Sequence, residues 1–322
     1  MGWQPISRLA PEPPSAASEM PRWACASSRV KRARGASGAV VLMAARIGAA
    51  LTAASVVAAC SSGSHGSHAA RRTGNLHTPA WLLTRSALSQ LTAEPAARNL
   101  LQRAEVLEVL RPGQRPLVEV AAQPVVTFAS AVALEETIRS GRLPPRTYGV
   151  LYDPEAWAFT PAAEQRDPAR AATRAAAAAH ADGLRLIVAP ALNLTEVLSP
   201  RNGQPRWRRF LNLKLVARVA RVADVIELQA QSLERSTATY AAFVRAATSQ
   251  ARAASASVKV FSGLSTNPPG VPVSSRRLTE AIQATRSKLE GYWLNIPGRG
   301  VRCPTCNAPR PQIAIQTLQA LH

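Results

Sequence analysis

Several patterns that mark common chemistries do not occur in this chain. No Gly-x-Gly-x-x-Gly follows an apolar run, so the dinucleotide-binding version of an α/β fold is disfavoured. There is no phosphate-binding P-loop, no His-Glu-x-x-His and no Gly-x-Ser-x-Gly, which argues against the usual NTPase, zinc-protease and serine-hydrolase chemistries. Histidine is scarce, with five residues, and they do not cluster: His65, His68 and His77 fall in a small-residue stretch, His180 in an Ala-rich run and His322 at the end. Cysteine is equally scarce, at four. Cys303-Pro-Thr-Cys306 has the spacing of half a zinc site. The other half is missing, since Cys25 and Cys60 lie far upstream and only His322 is near, so no metal and no cofactor is expected. A thioredoxin-like role would place such a pair early in a strand–helix unit, not in a late loop. A local disulfide between Cys303 and Cys306 is the expectation outside the cytoplasm.

Acidic residues are few. Against 39 Lys and Arg there are 19 Asp and Glu, a formal net charge of +20. Aromatics are 5 % of the chain, and the arginines are scattered without aromatic interleaving, which argues against a nucleic-acid surface. The chain is rich in Ala, Arg and Pro, as GC-rich coding produces, so a single Ala or Arg says little. Hydrophobic residues make up 47 % of 322, enough for one large domain with a substantial core.

The first 60 residues hold a secretory-type leader. Arg46 supplies a short basic region, an apolar segment of 13 uncharged residues follows, and small residues lead to Cys60. That segment is well short of the roughly 20 residues a membrane-spanning helix requires. Val57-Ala-Ala-Cys60 resembles the bacterial lipobox, in which an aliphatic and two small residues precede a Cys that carries the lipid. The resemblance implies a signal peptide over residues 43–59, acylation of Cys60, a membrane-lipid partner and an extracytoplasmic, lipid-anchored location. Ser61-Ser-Gly-Ser-His-Gly-Ser-His68 reads as the start of a flexible tether over residues 60–79. Residues 1–42, with Pro11-Glu-Pro-Pro and a cluster of basic residues, read as disordered or as preceding a true start at Met43.

Residues 80–322 form the expected folded domain. Leucines at 82, 83, 88, 91, 100 and 101 predict a helix over 81–103. Residues 106–110 fit a helix extension or a strand, and 116–120 a short strand. From Pro124 onward apolar strands alternate with helical segments. Strands are expected near 125–130, 148–153, 184–189, 224–231, 258–264 and 291–296. Helices are expected near 134–139, 162–181 (capped by Thr160), 207–222, 239–254, 274–288 and 311–321. Six strand–helix units in succession indicate a parallel sheet covered by helices. A (β/α) barrel, degenerate or incomplete in its first units, is the leading architecture, with an open parallel sheet as the alternative.

Strand side chains alternate, so residues two apart share a face. Asp153 and Glu155 end the second of the six strands on one face, Glu227, Gln229 and Gln231 share a face of the fourth, and Trp293 and Asn295 share one of the last. Ser265, Thr266 and Asn267 follow the fifth, and Trp157 closes the Asp153-Pro-Glu155 segment. Polar and aromatic residues concentrated at C-terminal strand ends are the layout of a barrel active site. Taken singly, Asp153-Pro-Glu155 also suits a helix cap, Glu227 a buried structural carboxylate, and Trp293 a core residue.

The architecture and strand-end chemistry resemble glycoside-hydrolase-like TIM barrels, although the Asn-Glu strand ending of one large hydrolase clan is absent. The resemblance implies catalysis by Glu227 paired with Asp153 or Glu155. It implies sugar stacking on Trp293 and Trp157 and hydroxyl binding by Asn295, Gln229, Gln231 and Asn267. A non-catalytic binding protein for cell-envelope polymers is the alternative.

Overall fold

The computed structural model describes residues 78–199, 202–268, 271–300 and 303–322. The lipobox, Cys60, Cys25 and the tether up to residue 77 lie outside them. Eight strands, β1 (Ala80–Thr84), β2 (Val106–Leu110), β3 (Gln123–Phe128), β4 (Gly149–Tyr152), β5 (Arg185–Val188), β6 (Val225–Leu228), β7 (Lys259–Ser265) and β8 (Gly291–Asn295), pair in parallel in sequence order. β8 returns to β1 through Ala80 opposite Gly291 and Leu82 opposite Trp293, so the sheet closes into a barrel and the open-sheet alternative falls.

The helices are α1 (Arg85–Thr92), α2 (Pro95–Leu101), α3 (Ala131–Arg139), α4 (Ala162–Arg166), α5 (Pro168–Ala181), α6 (Thr195–Leu198), α7 (Arg206–Asn212), α8 (Leu215–Ala220), α9 (Thr237–Ala254), α10 (Ser275–Thr285) and α11 (Pro311–Gln319). Among the described residues no helix is long and apolar enough to cross a membrane.

The two strands that complete the barrel lie where a helix and an ambiguous run were expected. β1 is buried on both faces: Trp81 and Leu83 pack outward against the helices, while Ala80 and Leu82 point into the barrel. Such a strand is apolar throughout, and alternation cannot reveal it. Thr84 ends it and caps α1 by accepting from the backbone N–H of Ala87. β2 follows the same rule, with Leu107 and Val109 inward. Residues 116–120 are not a strand. They belong to a loop pinned by Glu108, both of whose carboxylate oxygens accept the Leu117 N–H at 3.0 and 3.1 Å.

The expected helix over 162–181 is broken. Asp167 accepts from the N–H of Arg170, and Pro168 starts a new helix, so α4 and α5 replace one long element. The helix expected over 207–222 is likewise divided, because Lys214 takes a left-handed φ of 52° between α7 and α8.

The barrel interior grades from apolar to polar. Leu82, Leu107, Val125, Leu151, Ile187, Val225 and Phe261 fill its lower part. Gly291 makes the filling possible, because a Cβ there would lie 2.7 Å from the Phe261 ring and 2.6 Å from the carbonyl oxygen of Ala80. Neither neighbour is a flexible chain end. Gly291→Ala is therefore expected to lower unfolding stability by about 1–3 kcal/mol, the ordinary cost of overpacking. Urea denaturation of the two proteins measures this directly, and an unchanged midpoint would contradict the packing.

Candidate functional site at the C-terminal end of the barrel

A cleft of about 900 Å³ opens at the C-terminal strand ends, within the range of small-molecule sites. Nearly every residue singled out in the sequence lines it: Asp153, Glu155, Trp157, Gln229, Gln231, Asn267, Trp293 and Asn295, with Cys303 and Cys306 at one side. Their arrival in one place follows from the two-residue period, since each stands on or just beyond the inward face of its strand. Ile226, Leu228 and Ala230 face outward to the helices, which leaves Glu227, Gln229 and Gln231 facing inward.

The segment after β4 is held tightly. Asp153 is 6 % exposed, and one of its carboxylate oxygens accepts a short hydrogen bond from the Gln229 side-chain amide. That amide also donates to the carbonyl of Ala189 at 3.0 Å. Glu155 is half-buried and accepts from the Asn193 amide at 3.2 Å, while the Asn193 oxygen accepts the Ala156 N–H at 2.9 Å. Thr160 does not cap a helix. Its hydroxyl oxygen accepts from the Glu155 N–H and from the Trp157 indole N–H at 3.1 and 2.9 Å, clamping the turn shut. Pro161 stands at the N-cap of α4 without a side-chain bond, so Asp153-Pro-Glu155 caps no helix either.

Glu227 does not reach the cleft. It lies one inward position below Gln229, is 0 % exposed, and is not among the lining residues. Neither of its oxygens has a hydrogen-bond partner among the described residues. Burial, and then the charges of Asp153 and Glu155, hold its carboxyl well above the usual carboxylate range, which favours its protonated form. Three carboxyl groups thus influence one another at this end of the barrel.

Two lining residues share the orphaned character. Asn267 is 1 % exposed with both amide atoms unpartnered among the described residues, and Trp293 is 7 % exposed with an unpartnered indole N–H. Trp293 is also part of the interior packing. Buried polar atoms are nearly always satisfied in folded proteins, so their accumulation at one cleft marks a place not optimised for stability alone.

Gln231 is positioned by a glycine. A Cβ on Gly263 of β7 would fall 2.3–2.6 Å from the Gln231 amide group, so the bare backbone leaves room for it. Behind this wall Glu234 is fully buried and accepts from the Ser265 N–H at 2.9 Å. Burial pushes its carboxyl up to about 7, against the lowering effect of hydrogen bonds from its own N–H and those of Ser265 and Ser232. The loop it fastens contains Ser232, which lines the cleft at a φ of 89°.

The expected disulfide joins Cys303 and Cys306. His180 is exposed and pairs with Asp224 at 2.9 Å, away from the cleft.

Several lining residues were not anticipated: Arg85, Arg111, Asn193, Arg206, Trp207 and Thr127. Arg111 lies immediately after β2, so the strand-end rule finds it once that strand is placed; Asn193 lies in the short 3-10 turn Leu192–Leu194 beyond β5, a strand the sequence places correctly. Trp207 stands at the start of α7 and had no signal beyond helical periodicity.

No protein-family model matches the chain, and no curated protein matches it. Among solved structures it is similar to a proposed α-L-fucosidase from Bacteroides thetaiotaomicron, at 9 % identity and a TM-score of 0.43, over 65 % of this chain and 81 % of that one. It is similar to a xylanase from Cellvibrio japonicus, at 13 % identity and a TM-score of 0.41, over 74 % and 97 %. Triosephosphate isomerase from Bartonella henselae gives 11 % identity and a TM-score of 0.35, over 67 % and 91 %.

Proposed function

We propose that the cleft binds a carbohydrate and hydrolyses a glycosidic bond in it. The observation that carries this reading is the composition of one 900 Å³ cleft. Two carboxylates from a single clamped turn share it with three tryptophans (Trp157, Trp207 and Trp293) and a set of side-chain amides. Carboxylates supply acid and base or nucleophile, indole faces stack on sugar rings, and amides read hydroxyl groups. In the reaction the bond between the anomeric carbon and the leaving oxygen breaks, the leaving oxygen takes a proton from one carboxyl, and water adds its hydroxyl at the anomeric carbon while its remaining proton passes to the other carboxylate.

Exposure divides the roles. Asp153 and Glu155 line the cleft and are the groups able to touch substrate. Glu227 lies beneath and acts through them, as a neighbour whose burial favours the neutral form and whose ionisation would add a third negative charge to the site. A panel of plant, bacterial and algal polysaccharides, incubated with the purified barrel and assayed for new reducing ends, tests the reading. Release from at least one of them is the expected result. Binding without release would support instead a protein that only retains glycan, and neither binding nor release would end the carbohydrate reading.

We further propose that the domain is carried outside the cytoplasm on an acylated Cys60. The support is the lipobox-like Val57-Ala-Ala-Cys60 and the Gly/Ser stretch that follows it. Wild-type protein is expected in the membrane fraction of a bacterial host with an acylated N-terminal peptide, and Cys60→Ser in the soluble or unprocessed pool. Equal fractionation of the two would defeat the proposal, as would peptides from residues 1–42 in the mature protein.

A further inference from the structure

The acidic wall of the cleft is matched by a basic one. Arg85 follows β1 directly, Arg111 follows β2 directly, and the two strands are hydrogen-bonded neighbours, so both arginines stand on one sector of the rim. Both line the cleft. Arg206 lines it too, but it is paired with Glu196 at 3.1 Å. Neither Arg85 nor Arg111 makes an ion pair with any carboxylate among the described residues.

Their surroundings fix the backbone without consuming the charge. Arg85 donates through Nε to the carbonyl of Arg115 at 2.7 Å, a neutral acceptor, which leaves the rest of the guanidinium fork uncommitted by any described bond. The backbone N–H of Arg111 is bonded to the Gln114 side chain at 2.8 Å, which fixes the turn from which the exposed Arg111 side chain extends. Arg85 exerts an attraction on Glu108, but that group is fully buried on the outward face of β2 and both its oxygens accept the Leu117 N–H. Two guanidinium groups rooted on neighbouring strand ends, with no ion-pair partner among the described residues and both lining the cleft, are suited to dock an oxyanion. A carboxylate or sulfate fits the guanidinium fork through paired N–H···O bonds.

We infer that the cleft selects anionic glycans, with Arg85 and Arg111 holding a uronate carboxylate or a sulfate while the sugar it belongs to lies toward Asp153 and Glu155. This rests on the carbohydrate reading and adds a substrate class to it. It also accounts for two charge signs in one cleft: the arginines bind the substrate's fixed charge at one end, and the carboxylates act on the bond at the other.

The test uses matched pairs on the disulfide-intact barrel. Oligogalacturonides are compared with the same chains after carboxyl reduction, and sulfated galactan oligosaccharides with their desulfated forms, by calorimetry at low and high salt. A uronate-, sulfate- and neutral-glycan array widens the search. The expected result is at least one anionic member bound tenfold or more above its neutral counterpart, with the preference shrinking as salt rises. The variants Arg111→Gln and Arg85→Gln should together reduce it below threefold, by weakening the anionic member far more than the neutral one. Which pair responds tells carboxylate from sulfate. Neutral members bound as well as anionic ones would overturn the inference and leave the carbohydrate reading standing, as would a preference that survives both substitutions. No binding of either kind would overturn both.

Discussion

Glu155→Gln and Asp153→Asn should each lower kcat/KM for glycoside cleavage by at least a hundredfold, while circular dichroism and denaturation midpoints stay near wild type. The expectation follows from geometry. Both carboxylates line the cleft, and each substitution leaves an amide oxygen in place of a carboxylate oxygen. That oxygen can still accept from Asn193 in the Glu155→Gln protein, and from Gln229 in the Asp153→Asn protein. What the amide loses is the ability to give or take a proton or to act as a nucleophile. Acid–base catalysis alone is worth roughly 10²–10⁴-fold, and a hundredfold loss corresponds to about 2.7 kcal/mol of transition-state stabilisation. Binding of the uncleaved oligosaccharide should change by less than tenfold, which separates a catalytic loss from a collapsed site. Glu227→Gln is the informative contrast. It removes no group that touches the cleft, so its effect on kcat should be smaller and appear mainly as a displaced pH profile. Wild-type turnover in both Glu155→Gln and Asp153→Asn would remove the hydrolase reading.

The site was more legible in the sequence than the start of the fold. Asp153, Glu155, Gln229 and Asn295 could be assigned to one face because a period of two is arithmetic, and closure of the sheet then carries all inward faces to one axis. What the period cannot show is depth. Glu227 and Gln229 share a face and stand two residues apart at the end of β6, yet one is sealed and the other partly exposed. Reach into a cleft depends on the registers of β5 and β7 alongside, and these are tertiary facts. β1 was hidden for a different reason. Ala80–Thr84 is buried on both faces, so its pattern is continuous, and the leucines of α1 just beyond it extend the apparent helix backwards. Arg85 and Arg111 are not legible in the same way, because in a chain with 39 basic residues a single arginine carries no signal until its neighbours are known.

The barrel should also be less stable at pH 8 than at pH 5, and Glu234→Gln should remove a measurable part of that loss. Glu234 is fully buried, and its carboxyl is raised from 4.5 to about 7. A raised carboxyl is protonated in the folded state while the unfolded chain has already released its proton. Folding therefore takes up a proton between the two values, and stability falls as pH rises from about 4.5 through about 7. Below the unfolded value there is no loss, and above the folded value it is complete. From pH 5 to pH 8 the contribution of this one group is roughly 2–3 kcal/mol at 1.36 kcal/mol per pH unit. Glu227 is raised by burial first and by Asp153 and Glu155 second, so it adds a loss of the same sign. Urea unfolding at pH 5 and pH 8 isolates each part as the difference between wild type and variant, and this cancels the oppositely behaving Asp224, which the Leu186 N–H, Arg185 and His180 together hold low against its burial and which matters at lower pH. The Glu234→Gln side chain keeps an oxygen to accept the Ser265 N–H, so the loop that bears Ser232 should stay closed at both values. An unchanged pH slope in that variant would mean that the carboxyl is ionised in the folded protein, and the clasp behind the cleft would then have to be a charged one.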